Sequence, residues 1–103
     1  MRALPPKPSS HLVLSNEQRL DILRKLKTPG SFPPQDEGDP LVDGVCVSSI
    51  QAGQGLAFST TSKYLADLAA VGLVHVKRAG KWSYYRRNEA AIQSLLQRTS
   101  KEL

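Results

Sequence analysis

The chain has 103 residues and a formal net charge of +5, and 40% of its residues are hydrophobic. This length suits one small domain with a modest core. The composition excludes a membrane-spanning helix, because no run approaches the roughly 18 consecutive apolar residues that one needs, and the single Cys46 excludes an internal disulfide.

Residues 1–10 are rich in proline and serine, which predicts a flexible arm ahead of one domain over residues 11–103. Prolines stand where a signal peptide needs an apolar core, so we expect a cytoplasmic protein. The apolar run at residues 11–14 either begins a first helix or lies extended. Residues 15–18 then match a capping box, with Ser15 as the cap, and the helix is predicted to run to about Lys27.

The segment 28–44 is predicted to be a long surface loop. It is rich in proline and contains no basic residue, and its acidic residues are Asp36, Glu37, Asp39 and Asp43. Three roles stay open for it: a solvated insertion, a cover over a basic face, or a metal site formed by its carboxylates. Its spacing lacks the alternating ligands and bend glycine of a calcium loop.

A turn between two helices is predicted next. Residues 45–51 enter a short helix that carries Val47 and Ile50 inward, and the glycines of residues 53–55 permit a sharp turn. The following helix starts at Phe58 or Ser59.

This second helix is predicted to end near Val71, with Gly72 in the left-handed position that closes it. Its inward residues are Leu65, Leu68 and Ala69, one turn after Thr61. The opposite face is polar and consists of Ser59, Thr60, Ser62, Lys63 and Asp67.

A basic β-hairpin follows the helix. Val74 and Val76 alternate with polar residues, Ala79 and Gly80 form the turn, and residues 82–86 form the return strand. A last helix is predicted from Glu89 to about Thr99, with one apolar stripe formed by Ile92, Leu95 and Leu96.

The positive charge is concentrated in one third of the chain. Residues 56–87 contain six basic residues and one acid, while the remaining residues contain eight of each. A basic hairpin beside a helix that follows a turn is the electrostatic footprint of a protein that binds a polyanion.

These segments resemble the winged helix-turn-helix repressors of the ArsR family. The resemblance covers about residues 14–96 and is carried by residues 19–26 (RLDILRKL), 59–65 (STTSKYL) and 68–74 (LAAVGLV). It implies a mostly helical α+β fold with a two-stranded antiparallel wing. The implied function is sequence-specific binding of double-stranded DNA by a homodimeric transcriptional repressor.

The resemblance also implies where the subunits meet. First and last helices pack together in the family, which would place Leu12, Ile92, Leu95 and Leu96 at the dimer interface. The alternative is that this stripe covers the core of its own subunit. Two recognition helices one DNA turn apart would read a near-palindromic operator.

Residues early in the second helix are expected to contact base edges and nearby phosphates. The family often has a serine cap where this chain has Ala57, so the helix start is expected to shift toward Ser59. Trp82 is expected to pack within the wing. The expected helix contacts are Ser59, Thr60, Ser62 and Lys63, with Tyr64 at the margin, and the expected wing contacts are Lys77, Arg78 and Lys81, with Arg86 or Arg87 added.

The chain departs from the metal-sensing pattern of the family. Arsenic sensors carry two nearby cysteines before the recognition turn, whereas this chain has Cys46 and Ser48. One thiolate does not make the multi-sulfur site that a soft ion prefers. The last helix offers only Glu89 for a zinc site, so we expect no metal and no cofactor. Cys46 is interpreted as an inert small hydrophobic residue; the alternatives are a site that pools the Cys46 thiols of two subunits and a redox switch.

Two further function classes were weighed against DNA binding. A protein–protein interaction module remains the alternative, with the acidic loop or the Trp82–Tyr84 face as its docking surface. An enzyme is not expected, because the sequence has no P-loop, nucleophile elbow or zinc-protease motif. The sequence does not indicate an effector.

Overall fold

The computed structural model describes residues 9–102. The helices and strands are α1 (Ser10–Leu14), α2 (Glu17–Lys25), β1 (Val45–Cys46), α3 (Val47–Gln54), α4 (Phe58–Ala70), β2 (Val74–Ala79), β3 (Trp82–Arg87) and α5 (Glu89–Glu102). A single 3-10 turn, Pro29–Ser31, lies in the acidic loop. The mostly helical α+β class is therefore confirmed, and none of the helices in residues 9–102 is long and apolar enough to cross a membrane.

The first helix begins inside the segment that was predicted to be a flexible arm. Residues 1–8 lie outside the described residues, but Ser10 belongs to α1 and the Ser9 hydroxyl accepts a hydrogen bond from the Leu12 N–H at 3.0 Å. This serine satisfies one of the unpaired N–H groups at the helix start. The helical alternative for residues 11–14 is therefore the one observed.

The cap of α2 lies one residue later than predicted. Asn16 accepts the N–H of Arg19 at 3.0 Å, while Ser15 closes α1 and donates its hydroxyl proton to the Leu12 carbonyl at 2.6 Å. The Ser15 prediction was wrong because the preceding short helix already uses that hydroxyl. The helix also ends at Lys25, two residues earlier than expected.

One core joins the helices to the sheet. Helix α4 contributes Thr61, Leu65 and Leu68, which have no solvent exposure. Their spacing of three and four residues places them on one stripe, as predicted. The other core residues include Val13, Ile22, Leu23, Leu26, Phe32, Val45, Ile50, Leu73, Val74, Ile92 and Leu95.

The sheet has three antiparallel strands in the order β1-β3-β2. The predicted two-stranded wing is the β2–β3 hairpin, and β1 adds a third strand by pairing Val45 with Tyr85 and Cys46 with Tyr84. These two residues were predicted to lie at the start of a helix. A two-residue strand is too short to display the alternation that distinguishes a strand from a helix.

Glycines fix the chain direction at two points. Gly72 has φ +75°, which confirms its predicted role in closing α4. Gly44 has φ +106°, and a Cβ atom at this position would lie 2.7 Å from the Tyr85 carbonyl oxygen. The loop therefore enters β1 through a position that only glycine fits without strain.

We predict that Gly44→Ala lowers the free energy of unfolding by about 1–3 kcal/mol, because the methyl group meets backbone and the φ angle disfavours a side chain. Gly30→Ala is the matched control, since a Cβ there would meet no atom within 4 Å. Its effect should stay within about 1 kcal/mol of wild type. Urea unfolding of both variants measures the difference, and equal midpoints would contradict the assigned packing.

Candidate nucleic-acid interface

Helices α3 and α4 form a compact helix-turn-helix. Gly55 ends α3 in the left-handed conformation with φ +66°. The Gln51 side-chain amide donates to the Leu56 carbonyl oxygen at 2.8 Å. This bond ties the end of α3 to the turn and fixes where α4 begins.

Helix α4 begins at Phe58, so the expected shift toward Ser59 does not occur. Ala57 occupies the N-cap position and makes no side-chain cap. The Thr61 hydroxyl instead donates to the Ala57 carbonyl at 3.1 Å. Without a capping side chain, the first N–H groups of α4 keep their partial positive charge available to an anion.

The predicted contact residues of α4 differ in exposure. Ser59 and Lys63 are exposed, whereas Thr60 and Ser62 are half-buried. Tyr64 is also half-buried and packs against the core. The exposed groups among the predicted contacts are therefore one hydroxyl and one ammonium group near the N-terminal end of α4.

An acidic residue accompanies the Lys63 ammonium. Asp67 lies one turn later, and its Oδ1 is 3.3 Å from the Lys63 Nζ. The Lys63 side chain is still 73% exposed. A pair this exposed contributes little to stability, so a DNA phosphate or base is able to compete for Lys63.

The basic residues of the wing lie on two faces. Lys77 pairs with Tyr84 across the hairpin, and Arg78 pairs with Ser83. Because side chains alternate along a strand, Lys77 and Arg86 share the outer face with Tyr84. Arg78 lies on the opposite, inner face together with Val74. Val74 packs in the same core as the buried residues of α4.

The tip of the wing carries two accessible cations. The Arg78 guanidinium donates to the Ser83 hydroxyl at 3.3 Å. Lys81 lies at the turn, with its Nζ 5.4 Å from the centre of the half-buried Trp82 ring. Both basic residues are exposed, and neither makes an ion pair with the side chains of residues 9–101.

Arg87, proposed as an additional wing contact, is held by hydrogen bonds within its own chain. Its Nη1 donates to the Leu23 carbonyl at 3.1 Å, and its Nε donates to the Glu89 carboxylate at 2.6 Å. The Arg87 hydrogen bond, with the charge of that guanidinium, lowers the pKa of Glu89. The adjacent Asn88 closes the wing by donating to the Gly72 carbonyl at 2.9 Å.

The acidic loop is anchored to the fold. Phe32 is buried and packs beside Gly53, where a Cβ atom would lie 3.0 Å from the ring. The Gln35 amide donates to the carbonyls of Gly38 and Gly44 at 3.2 Å each, and it accepts the Cys46 N–H at 3.0 Å. This segment is a packed element, since one buried ring and one amide hold both of its ends.

The loop covers the outer face of the wing. Gly38 lies against the Tyr84 ring, and Tyr84 is only 4% exposed. Burial, followed by the nearby charge of Glu37, raises the pKa of Tyr84. Asp43 accepts a hydrogen bond from the Lys77 ammonium, which lowers the Asp43 pKa. Of the three roles left open for the acidic loop, the structure therefore shows the cover over a basic face. The Trp82–Tyr84 surface, proposed as a docking face, is covered by the loop at Tyr84.

Comparison with known proteins identifies the arrangement. The chain is 46% identical over 83 residues to the HTH-type transcriptional regulator YbzH of Bacillus subtilis, an overlap of 80% of this chain and 83% of that protein. It is 30% identical over 76 residues to the putative arsenical resistance operon repressor ArsR2 of Halobacterium salinarum. This overlap covers 74% of this chain and 54% of that protein. No protein-family model matches the chain.

Solved structures agree with these relatives. An ArsR-like transcriptional regulator from Rhodococcus sp. RHA1 has a TM-score of 0.61 and 26% identity, over 89% of this chain and 76% of that one. The homodimeric winged helix-turn-helix DNA-binding domain of Mycobacterium bovis Mb0332 has a TM-score of 0.58 and 28% identity. This match covers 87% of this chain and 73% of that one. The chain belongs to the ArsR family.

Cys46 of this ArsR-family chain lies in a buried environment. It is 3% exposed and pairs with the central strand β3. Beside it a cleft of about 100 Å³ is lined by Pro33, Pro34, Gln35, Asp36, Ser48, Ser49, Ala52 and Trp82. This volume is well below the 300–1,000 Å³ of common ligand pockets. No group of three His, Cys, Asp or Glu side chains within residues 9–101 is placed to hold a metal ion.

The four residues predicted at a dimer interface divide into two pairs. Ile92 and Leu95 are 7% and 6% exposed and lie in the core of their own chain. Leu12 and Leu96 are 64% and 56% exposed. The intramolecular alternative therefore describes Ile92 and Leu95, and an interface prediction now depends on Leu12 and Leu96.

Two residues of this surface carried no predicted contact. Asp43 was predicted only as part of an acidic loop, and Arg19 appeared only within the segment 19–26 that carries the resemblance. Arg19 donates to Asp67 at 2.8 Å across 48 residues of sequence. No local pattern reports such pairings, although Asp67 was identifiable as the one acid within a basic segment.

We predict that Lys77→Met raises the pKa of Asp43 toward its ordinary value, because the variant keeps the apolar stem and removes the ammonium group that stabilises the carboxylate. Since the folded-state pKa is lowered, this contribution to stability is present at neutral pH and is lost as pH falls below about 4. Carboxyl NMR titration measures the change.

Lys81→Met is the control for this titration, because it removes an equal charge from the wing tip. We expect no change in the Asp43 titration for this variant. If both variants shift Asp43 equally, the general charge of the wing causes the lowering, and the assigned Lys77–Asp43 pair is wrong.

Proposed function

We propose that this ArsR-family protein binds double-stranded DNA as a homodimer and represses transcription from a near-palindromic operator. The observation that carries the proposal is the location of the charge. The net charge of +5 falls within residues 56–87, which contain α4 and the wing. A helix that follows a tight turn fits the major groove, and a basic hairpin beside it reaches the phosphates.

Helix α4 is proposed to provide the base contacts. Ser59 and Lys63 are exposed on its outer face, and Thr60 and Ser62 lie beside them. A lysine ammonium donates to guanine O6 and N7, whereas hydroxyls serve either bases or phosphates. The half-buried Tyr64 takes a marginal position, because the core holds its ring.

The wing tip is proposed to provide the main backbone contacts. Arg78 and Lys81 are exposed and make no ion pair with the described residues. Lys77 contributes less because its ammonium is closer to Asp43 than the Lys63 ammonium is to Asp67, and it is also less exposed than Lys63. Arg86 is directed to the same outer face as Lys77. Phosphate contacts of this kind position the protein without reading sequence.

Dimerisation is proposed to use the exposed leucines of the first and last helices. Leu12 on α1 and Leu96 on α5 are large apolar side chains left open to solvent. Mb0332 of Mycobacterium bovis, a structural neighbour, is described as homodimeric. A symmetric pair of subunits would present two α4 helices to successive major grooves.

The proposal includes neither a metal nor a cofactor, because the chain has the single Cys46 where the metal-sensing members of the family carry two cysteines. A DNA-binding regulator acts where the chromosome is, so the expected cytoplasmic location remains part of the proposal. The protein is proposed to work through binding alone, without enzymatic activity.

Fluorescence anisotropy with the DNA upstream of its own gene, and with a shuffled duplex, tests this proposal. We predict tighter binding to the upstream DNA. If six phosphates are neutralised per dimer, the slope of log affinity against log salt should be about −5. Lys63→Ala should weaken specific binding by about 1–3 kcal/mol if Lys63 reads a base.

Lys101→Ala is the matched control, because it removes one exposed lysine from α5. It should leave the preference for upstream DNA unchanged. Equal losses of Lys63→Ala on both duplexes would make Lys63 a phosphate contact. No binding at low salt by a folded dimer would contradict the proposal and favour a protein-interaction module.

A further inference from the structure

The Arg19 side chain connects three helices. It projects from α2, and its Nε donates to the Val13 carbonyl of α1 at 2.6 Å. Its Nη1 donates to Asp67 of α4 at 2.8 Å, and its guanidinium carbon lies 5.6 Å from the centre of the Tyr64 ring. One planar group thus contacts the first helix and the recognition helix together.

These contacts continue to the outer face of α4. Asp67 accepts from Arg19 through Oδ2 and pairs with the Lys63 ammonium through Oδ1. Tyr64, under the guanidinium, follows Lys63 directly in sequence. Asp67 is therefore the one side chain between Arg19 and Lys63, the residue proposed to contact a base.

The environment of this network makes its geometry well defined. The side chains of Arg19 and Asp67 are 18% and 24% exposed. Partial exclusion of water strengthens such a charge-assisted bond compared with one on an open surface. The flat guanidinium donates in two directions while it stacks on an aromatic face, and a lysine ammonium does not reproduce this arrangement.

Helix α1 needs such an anchor because it has only five residues. Carbonyl groups in the last turn of a helix have no partner within the helix. The Val13 carbonyl is one of these, and it accepts the hydrogen bond from Arg19. Val13 itself is buried, while its neighbour Leu12 is 64% exposed. The same short helix therefore carries both the contact with Arg19 and an exposed leucine.

We propose that Arg19 is a positioning residue that sets the orientation of α4 relative to α1. This inference rests on the proposed function, in which Leu12 of α1 belongs to the dimer surface and α4 enters the major groove. In that dimer, the angle between α1 and α4 fixes the distance between the two recognition helices. Arg19 thereby determines the half-site spacing that the dimer accepts.

Arg19→Lys tests the inference because it preserves the positive charge and removes the planar guanidinium that donates to both Val13 and Asp67. The probes are duplexes that carry the two half-sites of the wild-type protein's selected DNA at their native spacing, and with one base pair inserted or removed between them. One base pair shifts a half-site by about 3.4 Å and rotates it by about 36°. Wild type should lose at least about tenfold in affinity on either altered spacing.

We expect Arg19→Lys to bind the native spacing about tenfold more weakly and to lose much less on the altered spacings, so that its spacing profile becomes flatter. Arg24→Lys is the matched control, since Arg24 is an exposed arginine on the same helix. Its profile should match wild type. Thermal unfolding and sedimentation equilibrium confirm that each variant is folded and dimeric.

A second variant, Asp67→Asn, tests the other end of the contact and retains the side-chain size. Its added net positive charge strengthens binding to every duplex alike, so the ratio between spacings remains the readout. We expect the same flattening. This variant keeps the inference testable if Arg19→Lys does not fold.

Two results would overturn the inference. A spacing profile in both variants that equals wild type would show that Arg19 does not set the separation of the helices. An equal loss on every spacing would assign Arg19 a role in stability or charge only. Failure of wild type to bind any duplex is a different result, because it contradicts the proposed function itself.

Discussion

Burial of one face of α4 is the constraint on which the rest of the structure depends. Leu65 and Leu68 are completely buried, and each contributes about 1.5–3 kcal/mol by leaving water. Because helical side chains repeat every 3.6 residues, this burial fixes the rotation of α4 and directs Ser59 and Lys63 outward. A change in the core face would therefore also move the surface proposed to contact DNA.

Electrostatics divides the wing into two functional sides. On the outer face, the acidic loop buries Tyr84 and neutralises Lys77. At the tip, Arg78 and Lys81 remain exposed. A long-range attraction between the basic third of the chain and DNA would consequently favour approach through the tip and α4. Under the proposed function, the Asp43–Lys77 pair would leave Arg78 and Lys81 as the main phosphate contacts of the wing.

The sequence predicted the parts of this fold that have a local pattern. Helix α4 repeats its apolar residues at helical spacing and ends at Gly72, and the wing alternates and turns at Gly80. Features that depend on distant partners were missed. The two-residue strand β1 exists only because β3 pairs with it. The contacts of Asp43 with Lys77 and of Arg19 with Asp67 span 34 and 48 residues, and isolated charges in a sequence do not identify their partners.

NMR titration of the isotope-labelled protein with its operator duplex tests most directly whether α4 and the wing tip form one DNA-binding surface. If they do, the largest amide shifts fall at residues 58–64 and 77–81. Residues 36–43 of the acidic loop, which cover the opposite face, should change little. The largest shifts in the acidic loop, with α4 unchanged, would contradict this assignment.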